Sequence, residues 1–219
     1  MPWRVEWPRG RADEVLAQPV PDGRVVRVAT VTAPAVVLGS TQPLEVVDAG
    51  RAAAAGVDVV RRRGGGGAVL VGPGEIAWVD VFVPTSDDLW SADVAVAFHW
   101  LGAAWTAALA EVGVDAIWHD GTQCTTTWSR LVCFAGLGSG EVSVDGRKVV
   151  GLSQRRNRAG SLFLCAALRR WVPATLVDLL ALSDDDRERA TEELAPVARG
   201  LDIADDTLAD AFVDQLRSL

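Results

Sequence analysis

Apolar and polar positions along the 219-residue chain change period several times. Val25–Val31 and Ala35–Gly39 are dense in β-branched residues and predict strands. Gly39-Ser40-Thr41-Gln42-Pro43 follows as a loop. The Ala-rich stretch from Val46 to Ala55 predicts a helix stopped by Gly56. Val57–Val60 predicts a short strand that runs into Arg61-Arg62-Arg63 and then Gly64-Gly65-Gly66-Gly67. Ala68–Val71 resumes as a strand, Gly72-Pro73-Gly74 is a turn, and the alternating Glu75–Val83 predicts a long strand. Val94, Phe98, Leu101, Trp105 and Val112 recur at helical spacing, so Val94–Val112 predicts an amphipathic core helix. His99 and Glu111 within it argue against a membrane span.

A second β region runs from Leu131 to Cys165, with strands expected at Leu131–Phe134, Glu141–Val144, Lys148–Leu152 and Leu162–Ala166. Asp145-Gly146 between two β runs is a hairpin signal. From Pro173 the pattern is helical, over Thr175–Leu182, Asp185–Arg199 and Ala204–Leu216, with Ser183 and Asp202 or Asp205 as candidate N-caps. Strands first and helices late predict an α+β fold with a mixed, largely antiparallel sheet and packed helices. The expected organisation is an irregular Pro- and Arg-rich lead-in over 1–24, a catalytic body over 25–172, and an acidic helical segment over 173–219 packed on the same domain.

Composition sharpens this picture. Hydrophobic residues make up 49% and charged residues 23%, which gives ample core and argues against disorder. The net charge of −8 is uneven: residues from Asp184 onward carry 11 acids against 4 Arg, and the rest of the chain is close to neutral. That distribution argues against a nucleic-acid binder. The three cysteines, Cys124, Cys133 and Cys165, form no C-x-x-C, so neither a disulfide framework nor a zinc site is expected. The start lacks the apolar core of a signal peptide, and the cysteines without a disulfide framework fit a reducing cytoplasm, so a cytoplasmic location is expected.

Two stretches carry candidate chemistry. The four glycines at 64–67 let backbone N–H groups approach a ligand and form an anion-binding concavity, with Arg61, Arg62 and Arg63 adding fixed charge. A phosphate or carboxylate suits them; the plain alternative is a flexible surface loop. No Gly-Lys-Ser/Thr follows, so the run is not a P-loop. The second stretch holds Lys148, the one lysine beside 20 arginines. A compact ammonium kept where the chain otherwise uses guanidinium points to a specific requirement. The alternative is a plain hairpin with one solvated lysine. Gly151, three residues on, lets a ligand lie against the strand.

These residues resemble a family. Arg61-Arg62-Arg63-Gly64-Gly65-Gly66-Gly67-Ala68-Val69 resembles the R-R-x-S-G-G-G-A-V motif of lipoate–protein ligases and octanoyltransferases. Gly146 to Gln154 resembles their G-x-K-[IV]-x-G-x-[SA]-x segment, and Gly39 to Pro43 their G-x-x-Q-x loop. The three occur in the family's order. The resemblance implies the biotin/lipoate protein ligase catalytic fold. It implies that Arg61, Arg62, Gly64 to Gly67, Ala68, Val69, Leu70, Gln42, Gly151, Leu152 and Ser153 line the substrate pocket, and that Lys148 contacts the activated carboxyl. The acceptor would be a lysine of a lipoyl carrier domain, in a 2-oxoacid dehydrogenase E2 or a glycine-cleavage H protein.

Leu131-Val132-Cys133-Phe134 stands where the ATP-dependent ligases usually carry R-N-D, and is similar to the Cys-Phe of the cysteine-dependent octanoyltransferases. A free thiol is only a small fraction thiolate at neutral pH, and a nearby ammonium raises that fraction, which gives Lys148 a role beside Cys133. The alternative for Cys133 is a small buried strand residue. Cys124, in a polar loop, and Cys165, in an apolar run, are weaker nucleophiles. His99 is expected to be a satisfied core residue, His119-Asp120 a loop pair, and Trp78 and Trp105 core. The chain departs from the family pattern at Gly64, at Val71-Gly72-Pro73 in place of His-Asp, and at Ser161 to Cys165 in place of H-G-x-L-L. Three functions stay open. One is acyl transfer of octanoate or lipoate through a Cys133 thioester, without a cofactor and with acyl carrier protein as donor. Another is ATP- and Mg-dependent lipoylation through an acyl-adenylate. The third is a non-catalytic binding or interaction protein. No metal site and no membrane partner are expected.

Overall fold

The structure is a computed structural model that describes residues 1–219, the side chain of Asp205 excepted. In chain order the strands and helices are β1 (Arg4–Glu6), β2 (Arg9–Gly10), α1 (Ala12–Leu16), β3 (Val25–Val31), β4 (Ala35–Leu38), α2 (Ala49–Ala54), β5 (Asp58–Arg61), β6 (Val69–Val71) and β7 (Ile76–Pro84). They continue as α3 (His99–Glu111), β8 (Ile117–Trp118), β9 (Val142–Val144), β10 (Arg147–Arg156), β11 (Gly160–Leu168), α4 (Pro173–Val177), α5 (Asp184–Leu194) and α6 (Asp205–Arg217). The large sheet has the order β1-β3-β7-β11-β10-β9-β8, with β2 alongside β3, and a small sheet has the order β5-β4-β6. Only β1–β3, β2–β3 and β4–β5 pair in parallel; every other ladder is antiparallel. The fold is the mixed, largely antiparallel α+β architecture that the order of strands and helices predicts.

The alternation of β7 explains the layering. Ala77, Val79, Val81 and Val83 point to one face, where they join Leu101, Trp105 and Leu109 of α3 and Leu208 and Phe212 of α6 in one core. Trp105 and Phe212 stack with ring centroids 3.9 Å apart. Ile76 and Trp78 point to the other face, against Val37 of β4 and Val69 and Val71 of β6. The outer face of the small sheet, with Val36, Leu38 and Ala68, is covered by Leu176 of α4, by Leu180 just after it and by Ala190 and Leu194 of α5. The space between the two sheets is therefore apolar on both sides. No helix is long and apolar enough to cross a membrane among the described residues.

Several local expectations differ. Residues 1–24 are not an irregular lead-in: they carry β1, β2 and α1. Strands of two and three residues have no readable period of their own and form here because β3 offers them an edge. Leu131–Phe134 is not a strand. The Leu131 and Val132 N–H groups turn back onto the Trp128 carbonyl, and Cys133–Ala135 is a 3-10 turn. The helix expected from Val46 begins at Ala49, where Asp48 caps it by accepting from Arg51 N. The helix expected from Val94 begins at His99, leaving Val94 and Val96 exposed. Ser183 does cap α5, accepting from Asp186 N at 3.2 Å. The cap of α6 is Ala204, not Asp202, and Asp205 is its first residue.

Candidate active site

Two cavities meet at Cys133. One, narrow, lies between the sheets and is lined by Val37, Val69, Val71, Ile76, Trp78, Leu164, Cys165 and Ala166, together with Arg62, Cys133, Gly151, Leu152 and Ser153. The other is a wide polar cleft of about 1430 Å³, lined by Gly65 to Gly67, Gly121 to Gln123, Gly136, Ser139, Glu141, Lys148, Gln154 and Arg156 among others. Cys133, Leu152 and Ser153 line both. The pair has the shape of an apolar slot that opens into an aqueous vestibule.

The glycine loop is held by one arginine. Arg62 is buried, and its guanidinium donates to Val37 O at 3.1 Å, to Gly65 O at 2.6 and 3.2 Å, and to Gly67 O at 2.9 Å. The fork that would bind an anion bidentately binds main-chain carbonyls instead. Arg61 and Arg63 are exposed, and neither lines the two cavities. Arg62 thus shapes the loop, and the expectation that it presents charge to a ligand is corrected; Arg61, also expected to line the pocket, lies outside both cavities. The glycines are required sterically. A Cβ on Gly39 would fall 1.8 Å from Gly66 O, one on Gly67 would fall 2.6 Å from Val132 C, and Gly66 has φ +96°. Gln42 fastens the same region. Its Oε1 accepts from Gly39 N and its Nε2 donates to the carbonyls of Arg130 and Leu131, just ahead of Cys133. Ala68 pairs with the same segment, as Cys133 N donates to Ala68 O at 3.0 Å. Val69 lines the apolar slot, and Leu70 lies on the far side of β6 near Trp171.

Lys148 is buried at 3% exposure. Its Nζ lies 2.6 Å from Glu141 Oε2 and donates to Cys133 O at 3.0 Å and Gly136 O at 2.9 Å. These partners account for all three ammonium donors. The Phe134 ring lies 5.1 Å from the charge. Glu141 is fixed in turn, accepting from Gly138 N at 2.7 Å and Leu152 N at 2.9 Å. The main chain of Lys148 is clamped at an irregular point of the β9–β10 ladder. Its N–H donates to Val197 O, and its carbonyl accepts from Arg199 N. The lysine therefore acts on Cys133 through that residue's carbonyl, by holding the turn that presents the thiol. Sequence reasoning missed Glu141: it lies across a hairpin from Lys148, and only the fold brings the two together.

The cysteines separate clearly. Cys124 is exposed, Cys133 is half-buried and Cys165 is buried. Burial, chiefly, pushes the Cys165 thiol well above the usual range, so it is a wall residue. Ser153 Oγ and Gln154 Nε2 are buried with no partner inside the protein, and both residues line the cleft. Such orphaned groups are what a ligand satisfies. Gln154 was not singled out from the sequence; it directly follows Ser153 in the lysine segment. His99 is satisfied by Ser139 Oγ at 3.0 Å and packs on Trp118. His119 Nε2 lies 2.8 Å from Thr122 O. Trp78 and Trp105 are buried as expected.

The cleft is poorly furnished for a nucleotide with magnesium. Glu141 is the one carboxylate among its described lining residues, and it is committed to Lys148. The cation would find no free carboxylate there. Among the described residues no group of three or more His, Cys, Asp or Glu side chains could hold a metal ion.

A family model described as the lipoyl protein ligase A/B catalytic domain matches residues 11–214. Similar solved structures include a Thermoplasma acidophilum protein with bound lipoic acid, at 19% identity and a TM-score of 0.74, covering 100% of this chain and 86% of that one. A bi-partite lipoate protein ligase from the same organism, described with its E2 lipoyl domain, matches at 17% identity and a TM-score of 0.74, covering 98% and 84%. Lipoate-protein ligase A bound with ATP matches at 19% identity and a TM-score of 0.71, covering 100% and 85%. No curated protein sequence matched. At these identities the solved structures show a shared fold.

Proposed function

Because the chain belongs to the lipoyl protein ligase A/B catalytic-domain family, we propose that it moves an octanoyl or lipoyl group from an acyl thioester onto a lysine of a lipoyl carrier domain. The observation that carries this reading is the position of Cys133 at the junction of the apolar slot and the polar cleft. The acyl chain occupies the slot, whose walls offer it aliphatic contacts and exclude water. The Cys133 sulfur, as thiolate, attacks the thioester carbonyl carbon. The new C–S bond forms as the donor's C–S bond breaks, and the donor thiol leaves with a proton. The ε-amine of the carrier lysine then attacks the Cys133 thioester, an amide forms, and the thiol of Cys133 is regenerated. Ser153 and Gln154, with unpartnered polar atoms at the mouth, are the groups that orient the acyl carbonyl. Acyl carrier protein fits as the donor and a lipoyl domain or H protein as the acceptor. The E2 lipoyl domain of the similar Thermoplasma acidophilum ligase supports that class of acceptor. A cytoplasmic location, where such donors are made, belongs to the same proposal.

The test is incubation with octanoyl acyl carrier protein followed by intact-mass spectrometry. An octanoyl adduct that is hydroxylamine-sensitive and absent from Cys133→Ala is expected. An adduct that persists in that variant overturns the cysteine role. Lipoate-dependent exchange of pyrophosphate into ATP would instead establish an ATP-dependent ligase. The breadth of the polar cleft beside the glycine loop favours that second reading, and its lack of a free carboxylate counts against it. Failure of both assays would leave a binding protein on the ligase fold.

A further inference from the structure

The apolar slot does not end in the core of the protein. Beyond it lies a third concavity, an open groove of about 1330 Å³ on the β3 side, lined by residues that include Trp7, Val28, Thr30 and Pro73. Two residues, Ile76 and Trp78, line both the slot and the groove. The reason is in the sheet. The β3–β7 ladder runs from Val25–Phe82 to Ala29–Trp78 and stops there, so the strands part just past Trp78 and the groove begins. The indole is buried at 5% exposure and fixed, because its Nε1 donates to Asp80 Oδ1 at 2.7 Å. Asp80 is itself buried on the same face of β7.

We propose that Trp78, with Ile76 beside it, is the end wall that sets the length of acyl chain the slot accepts, and that Asp80 is the positioning residue that holds the indole across the passage. This rests on the reading of the slot as the acyl site. The ligand class excluded by the wall is the longer saturated acyl chain, whose distal methylenes would run into the groove. A saturated chain makes no polar demand, so length alone is selected. Once the indole is removed, each further methylene buried strengthens binding.

The test uses free saturated fatty acids of eight, twelve and fourteen carbons, titrated calorimetrically into wild type, Trp78→Ala, Ile76→Ala and Trp78→Phe, with thermal unfolding as a check on folding. Wild type is expected to bind the eight-carbon acid best. Trp78→Ala is expected to shift the ratio of fourteen- to eight-carbon affinity upward by about tenfold or more, and Trp78→Phe to keep the wild-type order. If Trp78→Ala does not fold, Ile76→Ala carries the same expectation with a smaller shift. Asp80→Asn keeps an acceptor for the indole and should keep the wild-type profile, whereas Asp80→Leu should broaden it toward longer acids without abolishing octanoate binding. A purely structural role for Asp80 would weaken all lengths alike. If wild type binds octanoate and the folded wall variants keep its length profile, the wall proposal is overturned and the acyl-site reading stands. If wild type binds none of the acids, both fall.

Discussion

The ammonium of Lys148 and the carboxylate of Glu141 form a buried ion pair at 2.6 Å, with 3% and 8% of the two side chains exposed. The pair joins the turn that carries Cys133 to strand β10, since Glu141 also accepts from Leu152 N. Removing one partner leaves the other charge buried and alone. Glu141→Ala should therefore cost about 3–5 kcal/mol in chemical denaturation and abolish acyl transfer. The double variant Glu141→Leu/Lys148→Met replaces the pair with apolar groups of similar size. It should recover most of the stability and none of the activity. Recovery of activity would show that the pair serves only the fold.

Gly64 stands where the family motif carries serine, and in this chain a side chain at that position would meet Ser153. A Cβ on Gly64 would lie 2.7 Å from Ser153 Oγ. Gly64→Ser should thus destabilise by about 1–3 kcal/mol, through overpacking of the loop against β10. Ser153→Ala removes the obstructing oxygen, which has no partner within the protein. The two substitutions together should be less harmful than the sum of each alone. A double-mutant cycle from urea midpoints measures this, and additivity would rule the steric account out.

The hairpin was readable because its cause is local: Asp145 and Gly146 both adopt positive φ, and Val144 pairs with Arg147. Ser183 was readable as a cap for the same reason. The family motifs pointed to Lys148, Cys133 and the glycine loop, and the fold brings Lys148 and Cys133 to the same cleft. The direction in which Arg62 points was not readable. A guanidinium beside four glycines suits an anion and a set of carbonyls equally well, and only the position of Val37 O on β4 decides between them. Leu131–Phe134 misled because its apolar character reflects burial in the core rather than extension in a ladder. Glu141 was invisible because its partner is set by the hairpin's register, which no local pattern encodes.

Asp80 offers a test by pH. Burial, the largest influence, raises its carboxyl from 3.8 to about 7, against the opposing effects of the Trp78 hydrogen bond and the Arg27 charge. The native state therefore holds this proton more tightly than the unfolded chain does. The resulting stability is fully present below the unfolded value, declines as pH rises from about 4 to 7, and is flat above. Asp80→Asn cannot ionise, so its unfolding free energy should fall less steeply than wild type across that window. Denaturation midpoints collected from about pH 4 to 8 read this directly. Parallel profiles for the two proteins would place the titration elsewhere.

The C-terminal helix α6 packs both on α3 and on β7 of the large sheet, and the rings of Trp105 and Phe212 stack within that contact. Both side chains are fully buried. Phe212→Ala removes a ring from a closed core and should cost about 3–5 kcal/mol. Because α6 packs on β7, whose opposite face bears Trp78, loosening here is expected to propagate to the slot as a loss of the whole fold. A single cooperative transition by both far-ultraviolet circular dichroism and tryptophan fluorescence is thus expected for the variant, at a lower denaturant midpoint than wild type. Two separated transitions would instead mean that the acidic helical segment melts by itself. Acyl transfer would then survive conditions in which α6 is already unfolded.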